Sequence, residues 1–261
     1  MGLWLRGSCT LLLAFCAGSL NATTIGAPHA EFRARYSLIS NGRVVIQNLY
    51  GNVQVIGWDR DEVLVEATKH SADARHLDDA RIVVDSSGGR LSIRTQYDGS
   101  DADSPAAVEY RIRVPRNANL EDIKLVNGAL SVSGVTGGVK ASSVNGSIRA
   151  EKLEGEADLS TINGEVEADF QRISRCHPIT LSSVNGPIRL LLPSGAPATV
   201  SALNRSGGIE SDFGRAWRGP SGHRLDAALN GGGGAVIRLH NVNGGISIHS
   251  TWGAKAKGPI S

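Results

Sequence analysis

The sequence has little of what usually announces a chemistry. Only 3 of its 261 residues are cysteines. Cys9 and Cys16 lie in the N-terminal apolar stretch, so Cys176 has no partner for an internal disulfide. A chain this long buries roughly 70–75% of its unfolded surface and needs no such staple. Aromatics make up 5%, too few for the aligned platforms that stack on sugars. Trp58, Trp217 and Trp252 are widely scattered and read as core or cap packing. Lys+Arg less Asp+Glu is 27 − 25 = +2, with no basic stripe, which excludes a typical nucleic-acid binder. No long run of like charge marks a disordered tail. Past the N-terminus no stretch approaches the ~18 apolar residues of a membrane helix, so no transmembrane segment is expected in the mature chain. G-x-S-x-G, H-E-x-x-H, P-loop and G-x-G-x-x-G signatures are all missing. The run Gly231–Gly234 lacks the aspartate of calcium-binding β-rolls. No catalytic residue, cofactor or metal is therefore expected.

What is present begins with a targeting segment. Met1 to Ala22 carries one early charge, Arg6, and then an apolar run from Cys9 to Ala17, the layout of a secretory signal peptide. The run is too short to span a membrane. Small residues at Ser19 and Ala22 offer cleavage points. The expectation is export to the periplasm, the cell envelope or the medium. Residues 1–22 form the signal, 23–252 one domain and 253–261 a frayed tail. A lipid anchor at Cys16 is the alternative, and the bulky Phe15 before it opposes that.

Glycine is the second presence: 32 residues, about 12% against a usual ~7%, with no collagen period. It marks an internal repeat. Val126-Asn127-Gly128, Val144-Asn145-Gly146, Ile162-Asn163-Gly164 and Val184-Asn185-Gly186 recur at spacings of 18, 18 and 22, and Val242-Asn243-Gly244 repeats the motif later. Val135-Thr136-Gly137 and Leu153-Glu154-Gly155 are weaker copies between them. The unit is nine residues and two units make a period of 18. The second half of each unit alternates with period two, as a half-buried strand does. Val144, Ile148 and Ala150 take the apolar places in one unit, Leu153, Ala157 and Leu159 in the next, Ile162, Val166 and Ala168 in the third. The glycines are assigned to tight turns of positive φ.

Two such units predict a flattened coil with a strand on each side, stacked about 4.8 Å from its neighbours. Stacking sets the asparagines in one column. Two readings of them stand: residues that tolerate a left-handed turn, or a ladder of linked side-chain amides. Both are structural. Lys140 with Asp158, and Arg149 with Glu167, fall side by side on outer faces, where such pairs are worth about 0.2–1 kcal/mol.

Residues 43–49, 62–68, 80–85, 90–95 and 108–114 also read as strands. Ser86–Gly89 is a hairpin turn, Asp98–Pro105 a polar loop and Asp73–Asp79 a short helical turn. Strands 43–114 are expected to cover one end of the stack, because an open end invites edge pairing. The fold expected is all-β: a single-domain β-solenoid, or β-helix-like stack, of nine-residue half-coils with an N-terminal β cap.

Candidate chemistry is thin. Glu151, Glu154, Glu156, Asp158, Glu165, Glu167 and Asp169 are numerous enough for a polysaccharide-cleaving β-helix, but they fall on outer or turn positions of different faces. His240 and His249 are one unit apart, which sets them on opposite sides of a two-faced coil. The Cys176-His177 pair invites a nucleophile reading, yet neighbours in a strand point to opposite faces.

The run NLYGNVQVIGWDRDEVLVEATK (48–69), the segment YRIRVPRNANL (110–120) and the tandem Val-Asn-Gly turns resemble the "putative adhesin" family of bacterial envelope proteins, related to the head-domain autotransporter-adhesin and toast-rack groups. The resemblance spans about residues 36–250. It implies an exported, non-enzymatic, solenoid-like domain and brings no catalytic or ligand residue. The stretch from Phe170 to Val184, with Arg175-Cys176-His177-Pro178, departs from the nine-residue rhythm and leaves the register of later coils open. The function expected is an adhesion or scaffold module that contacts an envelope protein or polymer through its strand faces. A glycan-processing enzyme and a periplasmic accessory of an envelope-stress pathway are the alternatives.

Overall fold

The computed structural model describes residues 28–97, 105–214, 217–219 and 222–251. The signal segment 1–22, the tail 253–261, Trp252 and most of the 98–105 loop lie outside these residues. The strands begin with β1 His29–Ser37, β2 Arg43–Tyr50, β3 Val53–Trp58, β4 Glu62–His70, β5 Ala80–Ser87, β6 Arg90–Tyr97 and β7 Ala107–Pro115. The regular repeat is β8 Asn119–Asn127, β9 Leu130–Ser133, β10 Val139–Asn145, β11 Ile148–Leu153, β12 Ala157–Asn163, β13 Val166–Phe170, β14 Ile179–Asn185 and β15 Ile188–Leu192. Then come β16 Ala198–Ser206, β17 Ile209–Ser211, β18 Trp217–Gly219, β19 Gly222–Leu229, β20 Ala235–Asn243 and β21 Ile246–Ser250. A 3-10 turn, Ala74–Leu77, is capped by the Asp73 side chain.

Odd and even strands of the repeat alternate between two sheets, as a two-faced coil requires. One sheet has ten strands in the order β1-β4-β7-β3-β9-β11-β13-β15-β21-β17. The other has eleven, in the order β18-β19-β16-β20-β14-β12-β10-β8-β2-β6-β5. Pairing is parallel through the stack, for example Ala141 beside Leu159 and Leu159 beside Leu181. It turns antiparallel only at the ends, in β1-β4-β7, β5-β6 and β16-β19-β18. The expected N-terminal cover is thus finer than a block of strands. β2–β3 and β6–β7 are coils of the stack, and β1, β4 and β5 form the cap.

One core fills the space between the sheets. Ile148, Ala150, Leu159, Val166, Ala168 and Leu181 are all fully buried. Leu153 and Ala157 join them, as the alternation demands. Val144 and Ile162 do not. They stand 37% and 45% exposed, because the strand parity that points Ser143 and Thr161 inward points the next residue out. The corner then uses the extra residues up to Gly146 and Ser147 before Ile148 turns inward again.

The departure at 171–178 is a loop between β13 and β14, and the stack resumes in register beyond it, with Asn163 beside Asn185. The later order is not that of the sequence. β20–β21 lies between β14–β15 and β16–β17, so Asn243 sits beside Asn185 and Ser206 beside Asn243.

Candidate functional site

The feature that runs the length of the stack is the corner where each strand ending in asparagine gives way to glycine. Asn145 donates an amide hydrogen from Nδ2 to Asn127 Oδ1 at 3.0 Å, and Asn163 to Asn145 at 2.8 Å. Asn185 donates to Asn163 and Asn243 to Asn185, each at 2.9 Å. The only described non-glycine residues of positive φ are Asn41, Lys152 and Asn230. The five asparagines are therefore extended, which removes the left-handed turn reading for them. The main chain carries the same ladder around the corner: the N–H groups of Gly128, Gly146, Gly164 and Gly186 donate to the carbonyls of Asn145, Asn163, Asn185 and Asn243 at 2.9–3.1 Å.

The glycines meet the expected demand at three of the five corners, where Gly128, Gly186 and Gly244 have φ of 158, 148 and 136, and a second demand at all of them. Gly146 and Gly164 do not have positive φ. A Cβ on Gly146 would overlap the carbonyl oxygen of Gly128, and one on Gly164 that of Gly146. Close approach of successive coils selects glycine here, not backbone handedness. Gly128, Gly186 and Gly244 combine both demands.

A second, inner column went unread in the sequence. Two residues before four of the five ladder asparagines, and before Ser206 in the coil beyond them, the place facing the core holds a polar side chain; before Asn127 it holds Leu125. Thr161 Oγ1 donates to Gly146 O at 2.9 Å and Ser183 Oγ to Gly164 O at 3.1 Å. Asn241 Nδ2 donates to Gly186 O at 3.1 Å and Asn204 Nδ2 to Gly244 O at 2.7 Å. All four are buried. They satisfy glycine carbonyls that the corner would otherwise leave unpaired, a need any buried backbone group has. At the N-terminal end Asn48 has this role: Nδ2 donates to Val108 O at 2.8 Å, and Oδ1 accepts from Thr95 at 2.8 Å. Thr95 also meets the Tyr110 hydroxyl, which burial pushes up to about 12. The signal for this column was a Ser, Thr or Asn recurring with the period of the asparagines, at a place where alternation calls for an apolar residue.

The outer neighbour of the ladder is apolar. Leu49, Val144, Ile162 and Val184 are exposed by 37–45%. Val126 and Val242 are half-buried in the same row. Register fixes the alignment, since each lies between paired residues of adjacent coils: Asn48 with Leu125 and Tyr50 with Asn127, then Ser143 with Thr161 and Asn145 with Asn163, then Ser183 with Asn241. At about 4.8 Å per strand, six coils make a straight aliphatic ridge roughly 24 Å long.

The polar candidates are held in structural roles. Arg149 bridges to Glu167 at 2.9 Å and to Glu151 at 3.8 Å. Arg189 pairs with Glu165 at 3.2 Å and Lys140 with Asp158 at 3.8 Å. Arg172 lies 3.8 Å from Glu154. Glu156 is exposed near the opposite corner, beside Gly138. Asp169 alone has its carboxyl held above the usual range, by burial first and by the nearby Glu151 second. Cys176 is exposed in the 171–178 loop. His177 Nδ1 lies 3.3 Å from Glu154 O. His240 is on β20 and His249 on β21, in different sheets. Trp58 Nε1 donates to Glu62 O at 2.8 Å, and Arg60 stacks over its ring at 5.1 Å. Among the described residues no three of His, Cys, Asp and Glu are placed to hold a metal ion, and no helix is long and apolar enough to cross a membrane.

The fold and its corner define a class: a two-sheeted parallel β-solenoid whose repeated residues build the stack and whose outer row is free for contact. Within that class the chain belongs to the toastrack family DUF4097, whose profile matches residues 46–249. Among solved structures it is similar to a "putative cell adhesion protein" from Clostridium sporogenes, at 11% identity and a TM-score of 0.50, over 85% of this chain and 100% of that one. It is also similar to a "putative adhesin" from Bacteroides fragilis, at 10% identity and a TM-score of 0.38, over 85% and 97% of the two chains. At these identities the likeness is one of fold. No curated protein matches the chain.

Proposed function

We propose that the chain is an exported, non-enzymatic cell-envelope module, an adhesin or scaffold that works by surface contact. The observation that carries this reading is the aliphatic ridge through Leu49, Val144, Ile162 and Val184. A row of exposed aliphatic side chains is uncommon on a free soluble surface and marks an interaction site when it is contiguous. The ladder and glycine columns beside it keep the row straight, so the ridge is preorganised and little entropy is lost when a partner covers it. The carboxylates support the same reading, because Glu165 and Glu167 are neutralised by Arg149 and Arg189 rather than gathered around a cleft. The Met1–Ala22 pattern supports export, and the partner is an envelope protein or polymer.

The test is crosslinking in cells that express the full chain with a photoreactive residue at Ile162, and separately at Ser247 on the other sheet. The expected result is one recurring envelope adduct from position 162 and none from 247. The adduct should disappear when Val144→Ser and Val184→Ser are added, each worth within about 0.5 kcal/mol of stability at such exposed sites. Free protein at both positions would overturn the reading, and glycan cleavage by the purified chain would replace it.

A further inference from the structure

We propose that β1 pairs antiparallel with β1 of a second copy, continuing the ten-stranded sheet across a two-fold axis at Arg33. Among the described strands β1 is the outermost of that sheet and pairs on one side, with β4. It is nine residues long, whereas β17 and β18, at the other end of the molecule, have three residues each. Short edge strands are a common defence against edge pairing, and a long one is a template for it. β5, the neighbouring edge in the other sheet, is set back. The ten-stranded sheet continues two strands past β7, and the eleven-stranded sheet only one past β6. A second copy approaching this end meets β1 first.

The backbone is turned the right way. Leu38 N–H donates to Asp61 O at 3.4 Å, and Ser71 N–H to Pro28 O at 3.3 Å, at the two ends of the β1–β4 ladder. Even-numbered residues of β1 therefore face β4. In an antiparallel strand the bonding groups of successive residues alternate sides, so Glu31, Arg33 and Arg35 direct their N–H and C=O groups to the open edge.

The side chains then select one register. Pairing about Arg33 places Glu31 opposite the partner's Arg35 and Arg35 opposite the partner's Glu31. On the inner face it places Phe32 against the partner's Ala34 and Tyr36 against the partner's Ala30, large against small each time. Phe32 and Tyr36 are only partly buried within one copy, so a neighbour has apolar surface to cover. Arg33 meets its own copy at the axis, with its charge already balanced by Glu66 at 3.4 Å. A slip of two residues also keeps the backbone parity and moves the axis to Ala34 or Phe32. About Ala34 it sets Arg33 opposite the partner's Arg35. About Phe32 it pairs Glu31 with the partner's Arg33 but sets Phe32 on the partner's Phe32, large against large, and leaves Arg35 opposite the partner's His29. A slip of four brings Glu31 to Glu31, or Arg35 to Arg35, on the axis and loses both cross-strand ion pairs. The favoured register forms about six main-chain hydrogen bonds from residues 31, 33 and 35. It is isologous, as a two-fold interface must be.

The experiment is light scattering, over a range of concentrations, on protein recovered from cells expressing the full chain. The wild type is expected at twice the chain mass, falling to one chain mass on dilution. Arg33→Pro removes an N–H that faces only the open edge, so it should read as monomer with an unchanged thermal melt. Glu31→Arg and Arg35→Glu each set like charges across the axis and should weaken association about tenfold. The double swap Glu31→Arg with Arg35→Glu should restore it, even though Arg35 also bonds Glu62 at 3.0 Å within its own copy. A wild type that stays monomeric at the highest concentration overturns the proposal. So does a dimer indifferent to Arg33→Pro or to the single charge changes. Should Arg33→Pro fail to fold, the charge swap decides alone, and failure of the double change to recover the dimer sinks the register.

Discussion

Gly146 shows how little room the stack leaves at a residue. Its hypothetical Cβ meets the Gly128 carbonyl oxygen and lies 3.2 Å from Ser143 Oγ. Neither neighbour can retreat, since Gly128 O is backbone and Ser143 is buried. Gly146→Ala must therefore pry two coils apart, and is expected to lower stability by more than about 3 kcal/mol, among the larger values for single changes. Gly245 is one place beyond the ladder glycine of another coil, and a Cβ there meets nothing within 4 Å. Gly245→Ala should move stability by less than about 0.5 kcal/mol. Urea midpoints at unchanged m-value measure both. Equal losses would mean that backbone freedom, not close approach, accounts for the glycines. At this scale the sequence is partly legible. The asparagines and glycines stand out because one residue type recurs at fixed spacing. Ser143, Thr161, Ser183 and Asn241 do not, because several residue types can donate to the same glycine carbonyl.

Among the elements, the nine-residue unit is legible and its tolerance for interruption is not. Val139–Asn145 and Ala157–Asn163 share one pattern and one register. The same pattern returns at Ile179–Asn185 after the loop 171–178. The loop leaves the stack and returns to it, and apart from Ile173, which packs against the core, its length is a surface matter. The coil 198–211 escaped notice because Ser206-Gly207 stands where the others have Asn-Gly, although Asn204 keeps the inner hydrogen bond at 2.7 Å to Gly244 O. A chain in which 171–178 is replaced by Glu-Gly-Glu, the linker that joins Leu153 to Ala157, should keep the fold. It gives up the Arg172–Glu154 pair, worth at most about 1 kcal/mol, and the packing of the partly buried Ile173 against the core, worth about 1 kcal/mol. Loop-closure entropy changes by less than about 1 kcal/mol in favour of the shorter connection. A loss of stability of at most about 2 kcal/mol by chemical denaturation, with the cooperative transition kept, is the expected outcome. Loss of the cooperative transition would show that the loop holds the two halves of the stack in register.

The whole molecule departs furthest from its sequence in the order of its coils. Local pattern says that 235–250 is a coil but cannot say where it goes, because parallel neighbours need no local connection. In the fold it enters between β14–β15 and β16–β17, so that among the described strands β16 pairs with β20 and β19 and β17 with β21. A solenoid is held together by nearest-neighbour interfaces, and here those neighbours are not neighbours in the chain. Cutting the chain after Gly234 therefore removes more than its last coil. The segment 198–229 loses its described strand pairings to the stack, while residues up to Leu192 keep every parallel neighbour they had, except those β14 and β15 made with β20 and β21. Hydrogen exchange on such a truncated chain should show protection lost throughout 198–229 and retained across β8–β13. The fully sequential alternative predicts the reverse at the C-terminal side: 198–211 would remain stacked on β14–β15 and stay protected. The same dependence constrains folding. The coil 198–211 is made before 235–250 but cannot dock until the later segment has arrived, so the final strands should order together, in one step governed by β20.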